Sequence, residues 1–338
     1  MTTVLCTLYN SLYLDKGLVL YDSLCECAKD FKLYVLCMDD KCYEVLSDLK
    51  QEHHIPVRLA DFDAGDEALL TAKSNRSMGE YCWTCSSSFI RYVLNHYKED
   101  SCTYIDADMY YYNDPQVLID EMLEAGKSVM VVPHRFPKEK ESLAKTVGMY
   151  CVEFNTFLNN PESLEVLEYW RNRCLESVAL LDDGIHYGDQ KYLDDIAERF
   201  SCVHVCKNNG AGVAPWNVVQ YLVGENKTTL TYLPDGTNDV LFFYHFQGIS
   251  YISVKSVNIG IEKQKPIDRK WVDIHYKDYV RHLYEKKRFL FKTYQIHILI
   301  QGHPAHHHRF QRIKQSMIGQ WLLLIYKKIY DECIIVSL

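Results

Sequence analysis

The sequence predicts an α/β protein of the doubly wound, Rossmann-like kind, a mostly parallel sheet flanked by helices, with a helical basic C-terminal appendage. Three observations predict it. Short β-branched or aromatic runs alternate with amphipathic stretches through the first half. An apolar run ends in two aspartates one residue apart, in YIDADMYYYNDP, Tyr104 to Pro115. Charge is also split: the net charge is −8, yet residues 263 to 330 carry about eleven more Lys and Arg than Asp and Glu.

Strands are predicted at Thr3 to Tyr9, Lys32 to Met38, Val57 to Leu59, Cys102 to Ile105 and Ser128 to Val132. Between them, Gly17 to Cys27, Tyr43 to Glu52 and Ser86 to Tyr97 have apolar residues at helical spacing. Later come helices at Pro161 to Ser177 and Gln190 to Glu198, then a strand-rich stretch from Thr229 to Val257. From Lys263 the chain reads as helical, aromatic and basic, with a break near Gly302 to His308. Two regions are expected, 1–262 and 263–338.

A chain of 338 residues can bury a large core without disulfides. No run of about 18 apolar residues occurs and no basic segment precedes Val4, so a soluble, cytoplasmic protein is expected. The thirteen cysteines are scattered through apolar runs, as reduced thiols are. Cys82 with Cys85, and Cys25 with Cys27, have metal-like spacing, but no partner set completes a site. His303 and His306 to His308 read as a solvated loop. The acidic body argues against nucleic acid as partner, while the basic end suits an anionic surface.

Ligands of open α/β sheets bind at the carboxyl ends of strands, so Asp106 and Asp108 are expected at the rim of a cleft. Side chains i and i+2 of a strand share a side. Two converging carboxylates suit a hard cation such as Mn2+ or Mg2+, which can grip a diphosphate. Other acidic pairs, Asp39 with Asp40, Asp61 with Asp63 and Asp182 with Asp183, read as loop or cap residues.

Read in order, residues 1 to 250 resemble the glycogenin-like, family 8 type of GT-A fold glycosyltransferase, especially sugar transferases encoded among bacterial surface-polysaccharide genes. In VLCTLYNSLYLDKGLVLYDSL, Val4 to Leu24, the resemblance implies that Tyr9, Asn10 and Tyr13 hold base and ribose. In EYCWTCSSSFIRYVL, Glu80 to Leu94, it aims Arg91 at the diphosphate. It makes Asp106, Ala107 and Asp108 the donor-binding Asp-x-Asp, and assigns Asn155 of EFNTFLNN to the donor sugar. Asp189 and Gln190 of YGDQKYLDDI become the reaction-centre residues, with a helix N-cap as the plainer role for Asp189. Asn208 or Asn209 of KNNGAGVAPWNV falls on the acceptor side. FYHFQG, Phe243 to Gly248, closes the site with Gly248 and supplies His245 as third metal ligand beside Asp106 and Asp108.

One departure stands out. The family continues from His-Phe-x-Gly to a lysine that touches the donor phosphate, and Ile249 to Ser253 contains none. Arg91, Lys255 or a residue of the basic tail is the expected substitute.

The resemblance implies a metal-dependent, retaining transfer from a nucleotide-sugar, most commonly a UDP-sugar, to a glycan or lipid-linked acceptor. An inverting transferase is the first alternative and needs a carboxylate base, for which Glu153 and Asp182 qualify. A nucleotidyltransferase would carry a Gly-rich, Arg-containing loop where Leu8 to Lys16 has none. A non-catalytic nucleotide-sugar binder is the third. Lys277 to Tyr294 and Gly319 to Tyr330 set aromatic residues and Leu beside Lys and Arg, as peripheral membrane helices do, or as a cap packed on the body does.

Overall fold

A computed structural model describes residues 2–181, 183–253, 255–298 and 333–338. Asp182, the Gly302 to His308 break with its histidines, and Gly319 to Tyr330 lie outside the described residues.

β1 (Thr3–Tyr9) leads through a 3-10 turn, Ser11–Tyr13, into α1 (Leu14–Cys27). β2 (Phe31–Cys37) leads into α2 (Asp40–Leu49), and β3 (His54–Arg58) into α3 (Leu59–Phe62) and α4 (Glu67–Asn75). α5 (Met78–His96) returns the chain to β4 (Ser101–Ile105), which stops at Asp106 and is followed by β5 (Met109–Tyr111). Then come α6 (Gln116–Glu124), β6 (Val129–Pro133), α7 (Leu143–Val147), β7 (Tyr150–Leu158), α8 (Pro161–Glu176), α9 (Tyr192–Arg199) and β8 (Val203–Val205). β9 (Tyr221–Val223), β10 (Thr229–Tyr232) and β11 (Thr237–Val240) form a small antiparallel sheet. β12 (Phe243–His245) pairs with β5. β13 (Ser250–Tyr251), β14 (Ser256–Glu262), a π-helical turn at Trp271–Tyr276, α10 (Lys277–Tyr294) and β15 (Cys333–Ser337) follow.

The main sheet has seven strands in the order β3-β2-β1-β4-β7-β6-β8. Only β7 runs against its neighbours, which makes the sheet mostly parallel. Strand alternation divides the core. Val4 and Cys6 face α5, α8 and α9, while Leu5 faces α1, α2 and α6.

Local chemistry sets the helix starts. Asp39 caps α2 by accepting from the Cys42 amide, and Asn160 followed by Pro161 opens α8. Ser77 and Glu80 form a reciprocal capping box, so α5 begins at Met78 rather than at the predicted Ser86. α4, α6, α7 and β7 extend the predicted set. β7 is buried over eight consecutive residues and shows no alternation, and polar Glu153, Asn155 and Thr156 interrupt its apolar run.

The C-terminal region is tied to the body. Tyr279, Val280 and Leu283 of α10 share a core with Val19 of α1, Tyr110 of β5 and Tyr244 of β12. β15 pairs with β14, so strands from either side of the 262/263 division lie in one sheet.

Candidate active site

The chain leaves β4 at Asp106 and turns through Ala107 and Asp108 before β5 begins. The two aspartates therefore lie at a turn between strands, and not along an extended strand as their spacing suggested. The β5–β12 register sets His245 opposite Met109, and the Phe246 amide donates to the Asp108 carbonyl at 2.9 Å. Backbone pairing thus carries a histidine 137 positions away to the aspartate pair. His245 Nε2 lies 3.1 Å from Asp108 Oδ1 and 3.7 Å from Asp106 Oδ2.

These groups open into a cleft of about 790 Å3 at the carboxyl ends of β1 and β4, lined also by Asn10, Tyr13, Trp83, Asp189, Gln190 and Trp216. Withdrawal from water pushes Asp106 up to about 6, with Asp108 and Glu153 adding to the shift and His245 opposing it. Burial works the same way on Asp108, yet His245 and Lys16 together hold it below the usual carboxylate range. His245 is likewise raised despite its burial, chiefly by Asp108.

Asp189, also in the lining, follows Gly188, whose φ of 61° requires a glycine-like backbone. The Asp189 carboxylate accepts from Ser86 Oγ at 2.6 Å and its carbonyl accepts from Trp170 Nε1 at 2.8 Å. It caps no helix, since α9 starts at Tyr192. Burial pushes Asp189 up to about 7, with Asp106 adding to it against the Ser86 hydrogen bond. Gln190 donates its amide nitrogen to the Val147 carbonyl at 2.7 Å, a bond that leaves the amide oxygen uncommitted.

Several expected residues sit elsewhere. Tyr9 borders the cleft, but its ring is 3% exposed, packed beneath Gly17 with its hydroxyl 3.3 Å from His54. Tyr13, 44% exposed, is the ring open to a base. Asn10 caps the turn that carries it by accepting from the Leu12 amide at 3.1 Å. Arg91 is outside the cleft lining and paired to Glu168 of α8, because it lies on the face of α5 turned to that helix. Asn155 is buried in the middle of β7, donating to the Cys151 carbonyl at 3.3 Å, and is neither at a turn nor in the cleft wall. Gly248 adopts φ 82° just beyond the lining residue Gln247. Asn208 and Asn209 bond to Gly210 and Thr237, and their loop reaches the cleft through Trp216 instead. Glu153 is fully buried with Oε2 2.7 Å from His245 Nδ1, which leaves it no path to a substrate as a base.

No family model matches the chain. It is 33% identical to the uncharacterized protein YfnD of Bacillus subtilis (strain 168) over 256 residues, which cover 75% of this chain and 80% of YfnD. The chain belongs to the YfnD family. YfnF of the same organism is 29% identical over 295 residues, 86% of this chain and 95% of YfnF. Among solved structures, the galactosyltransferase LgtC in complex with donor and acceptor sugar analogs aligns with a TM-score of 0.52, covering 83% of this chain and 95% of LgtC at 13% identity. The fold of this YfnD relative is accordingly GT-A, and at that identity the likeness speaks for fold alone.

The donor set at the turn suits a hard divalent ion. Each carboxylate lies within 4 Å of His245 Nε2 at the cleft, and the second nitrogen of His245 is fixed by Glu153 as metal-bound histidines usually are. On the buried side of the same histidine, Cys151, Glu153 and His245 have ligand atoms all within 4.8 Å of one another. Burial, reinforced by Glu153, pushes the Cys151 thiol up to about 12. Among the described residues, Cys25, Cys27, Cys82 and Cys85 join no such cluster, and all thirteen thiols are free.

Lys16 lies in α1, which starts at Leu14 and not at the expected Gly17, and nothing in the sequence marks its lysine as facing the site. Its buried ammonium is 3.7 Å from Asp108 Oδ2 and 4.0 Å from the centroid of the Tyr13 ring. Desolvation opposes its charge, yet Asp108, Tyr13 and Asp15 hold its pKa above the ordinary lysine value.

Proposed function

We propose that this protein is a metal-dependent glycosyltransferase that moves a sugar from a nucleotide-diphospho-sugar, a UDP-sugar by the resemblance, onto a glycan or lipid-linked acceptor with retention of configuration. The observation that carries the reading is that His245 lies within 4 Å of both Asp106 and Asp108 in a single cleft that Asp189 and Gln190 also line.

Asp106, Asp108 and His245 would hold Mn2+ or Mg2+, whose Lewis acidity neutralises a departing nucleoside diphosphate. Glu153 keeps the His245 proton on Nδ1 and presents Nε2 to the cleft. Tyr13 offers a stacking face to the base, and Asn10 keeps its amide hydrogens for base or ribose. Asp189 and the amide oxygen of Gln190 put electron-rich atoms near a sugar carbon that gains positive charge as its bond to the diphosphate breaks. Trp83 and Trp216 give the acceptor side flat apolar walls of the kind sugars stack on. The burial of Glu153 against His245 counts against an inverting mechanism that uses it as base.

The free thiols fit a reducing, cytoplasmic setting. No helix among the described residues is long and apolar enough to cross a membrane. Peripheral contact through residues 263–338 has limited support in α10, where Phe289 and Phe291 are exposed beside Arg288 and Lys292.

The test is a thermal-shift panel of nucleoside diphosphates and their sugars with Mn2+ present or chelated, followed by turnover assays without acceptor. The proposal expects a Mn2+-dependent rise in Tm with one nucleotide series and slow metal-dependent hydrolysis of the matching sugar. Stabilisation that ignores chelation, or binding with no hydrolysis, would turn the assignment toward a metal-free enzyme or a binder.

A further inference from the structure

Asp106, Asp108, Asp189 and His245 line the cleft, and among the described residues no Lys or Arg does. A nucleoside diphosphate adds negative charge beside these carboxylates, so a cation close behind the metal ligands would favour its binding.

Lys16 does not line the cleft itself, but its buried ammonium lies directly behind two residues that do, Asp108 and Tyr13. Asp108 divides its two oxygens: Oδ1 faces His245 at 3.1 Å and Oδ2 faces the Lys16 ammonium at 3.7 Å. That second separation is an ion pair but too long for a hydrogen bond. The other side of the ammonium faces the ring of Tyr13, which itself lines the cleft. Helix α1 fixes the position, since Gly17 must pass directly over the Tyr9 ring, where an added Cβ would come within 2.3 Å. Of the named alternatives, Arg91 pairs with Glu168, Lys255 lies against the Tyr284 ring at 5.8 Å, and Lys287 of α10 lies over the Tyr251 ring at 3.5 Å.

We propose that Lys16 is a donor-diphosphate contact of this protein: it pairs with Asp108 and turns its N–H donors to phosphate oxygens when Asp108 is taken up by the metal. The inference rests on the metal and diphosphate reading above and adds the residue that stands in for the lysine missing after His245. It makes metal and diphosphate binding cooperative, because the ion releases the ammonium from its carboxylate partner.

Isothermal titration calorimetry on the full chain tests it, with Mn2+ alone and then inorganic pyrophosphate at saturating Mn2+, for wild type, Lys16→Met and Lys16→Gln. The expected result is a loss of tenfold or more in pyrophosphate affinity in both variants, with Mn2+ affinity equal to or tighter than wild type; retained Mn2+ binding also reports a folded site. Unchanged pyrophosphate affinity would overturn the proposal, leaving Lys16 as a partner of Asp108 only. Loss of Mn2+ together with pyrophosphate would also overturn it, since Lys16 would then act by placing Asp108. If the wild type bound Mn2+ but no pyrophosphate, the reading of the cleft would fail and this inference with it.

Discussion

His245 is held at both ring nitrogens, by Glu153 at 2.7 Å and by Asp108 at 3.1 Å. A histidine pinned in this way needs no reorientation when it meets a cation, and the carboxylate behind it raises its basicity. Glu153→Gln should therefore weaken Mn2+ binding by roughly 10–100-fold, with Glu153→Asp between it and wild type, as read by calorimetry. Asp189 gives a second prediction at this scale. Its folded pKa of about 7 stands above the ordinary 3.8, so the folded state keeps a proton that the unfolded state has lost between those values. Stability from this group is full at low pH and falls as pH rises through that window. Asp189→Asn does not titrate, so in metal-free buffer its Tm relative to wild type should be higher at about pH 8 than at about pH 5. The Asp-x-Asp stands out in sequence as two carboxylates at the end of an apolar run, whereas His245, Asp189 and Gln190 are singled out by the family resemblance. Glu153 is legible there only as a possible base, and Lys16 not at all, because a lysine in a helix and a glutamate in a strand acquire meaning only from the side chain they meet.

The elements most readily read from the sequence were those with caps and clean periodicity. β1 has the predicted bounds, and α8 the predicted start, because Asn160-Pro161 announces it. α5 was cut short in the reading because the Ser77-Met78-Gly79-Glu80 capping box went unused. β7 was missed because a strand buried on both faces carries no period of two. The crossing of α1 over β1 is governed by one glycine, since an alanine Cβ at position 17 would overlap the Tyr9 ring. Gly17→Ala should destabilise the fold by about 1–3 kcal/mol, measured by urea denaturation. Tyr9→Leu in the same chain should recover part of the loss, a coupling that a double-mutant cycle reads directly.

At the scale of the whole molecule, the predicted doubly wound body is present and the region after residue 262 is stitched to it. α10 fills the core around Tyr244 and Trp271, and β15 adds to β14 with Val336 buried. Composition could mark this region as basic and helical but could not reveal the long-range strand pairing that returns the chain. Removing residues 333–338 should lower Tm by several degrees, since it takes away a paired strand and a buried valine. The claim on which the rest depends is that the turn after β4 and the end of β12 form one cation site on the cleft. Anomalous scattering from a Mn2+-soaked crystal tests it most directly. The account predicts a single strong peak within coordinating distance of Asp106, Asp108 and His245; a peak on the buried Cys151 and Glu153 side of the histidine, or none near it, would contradict it.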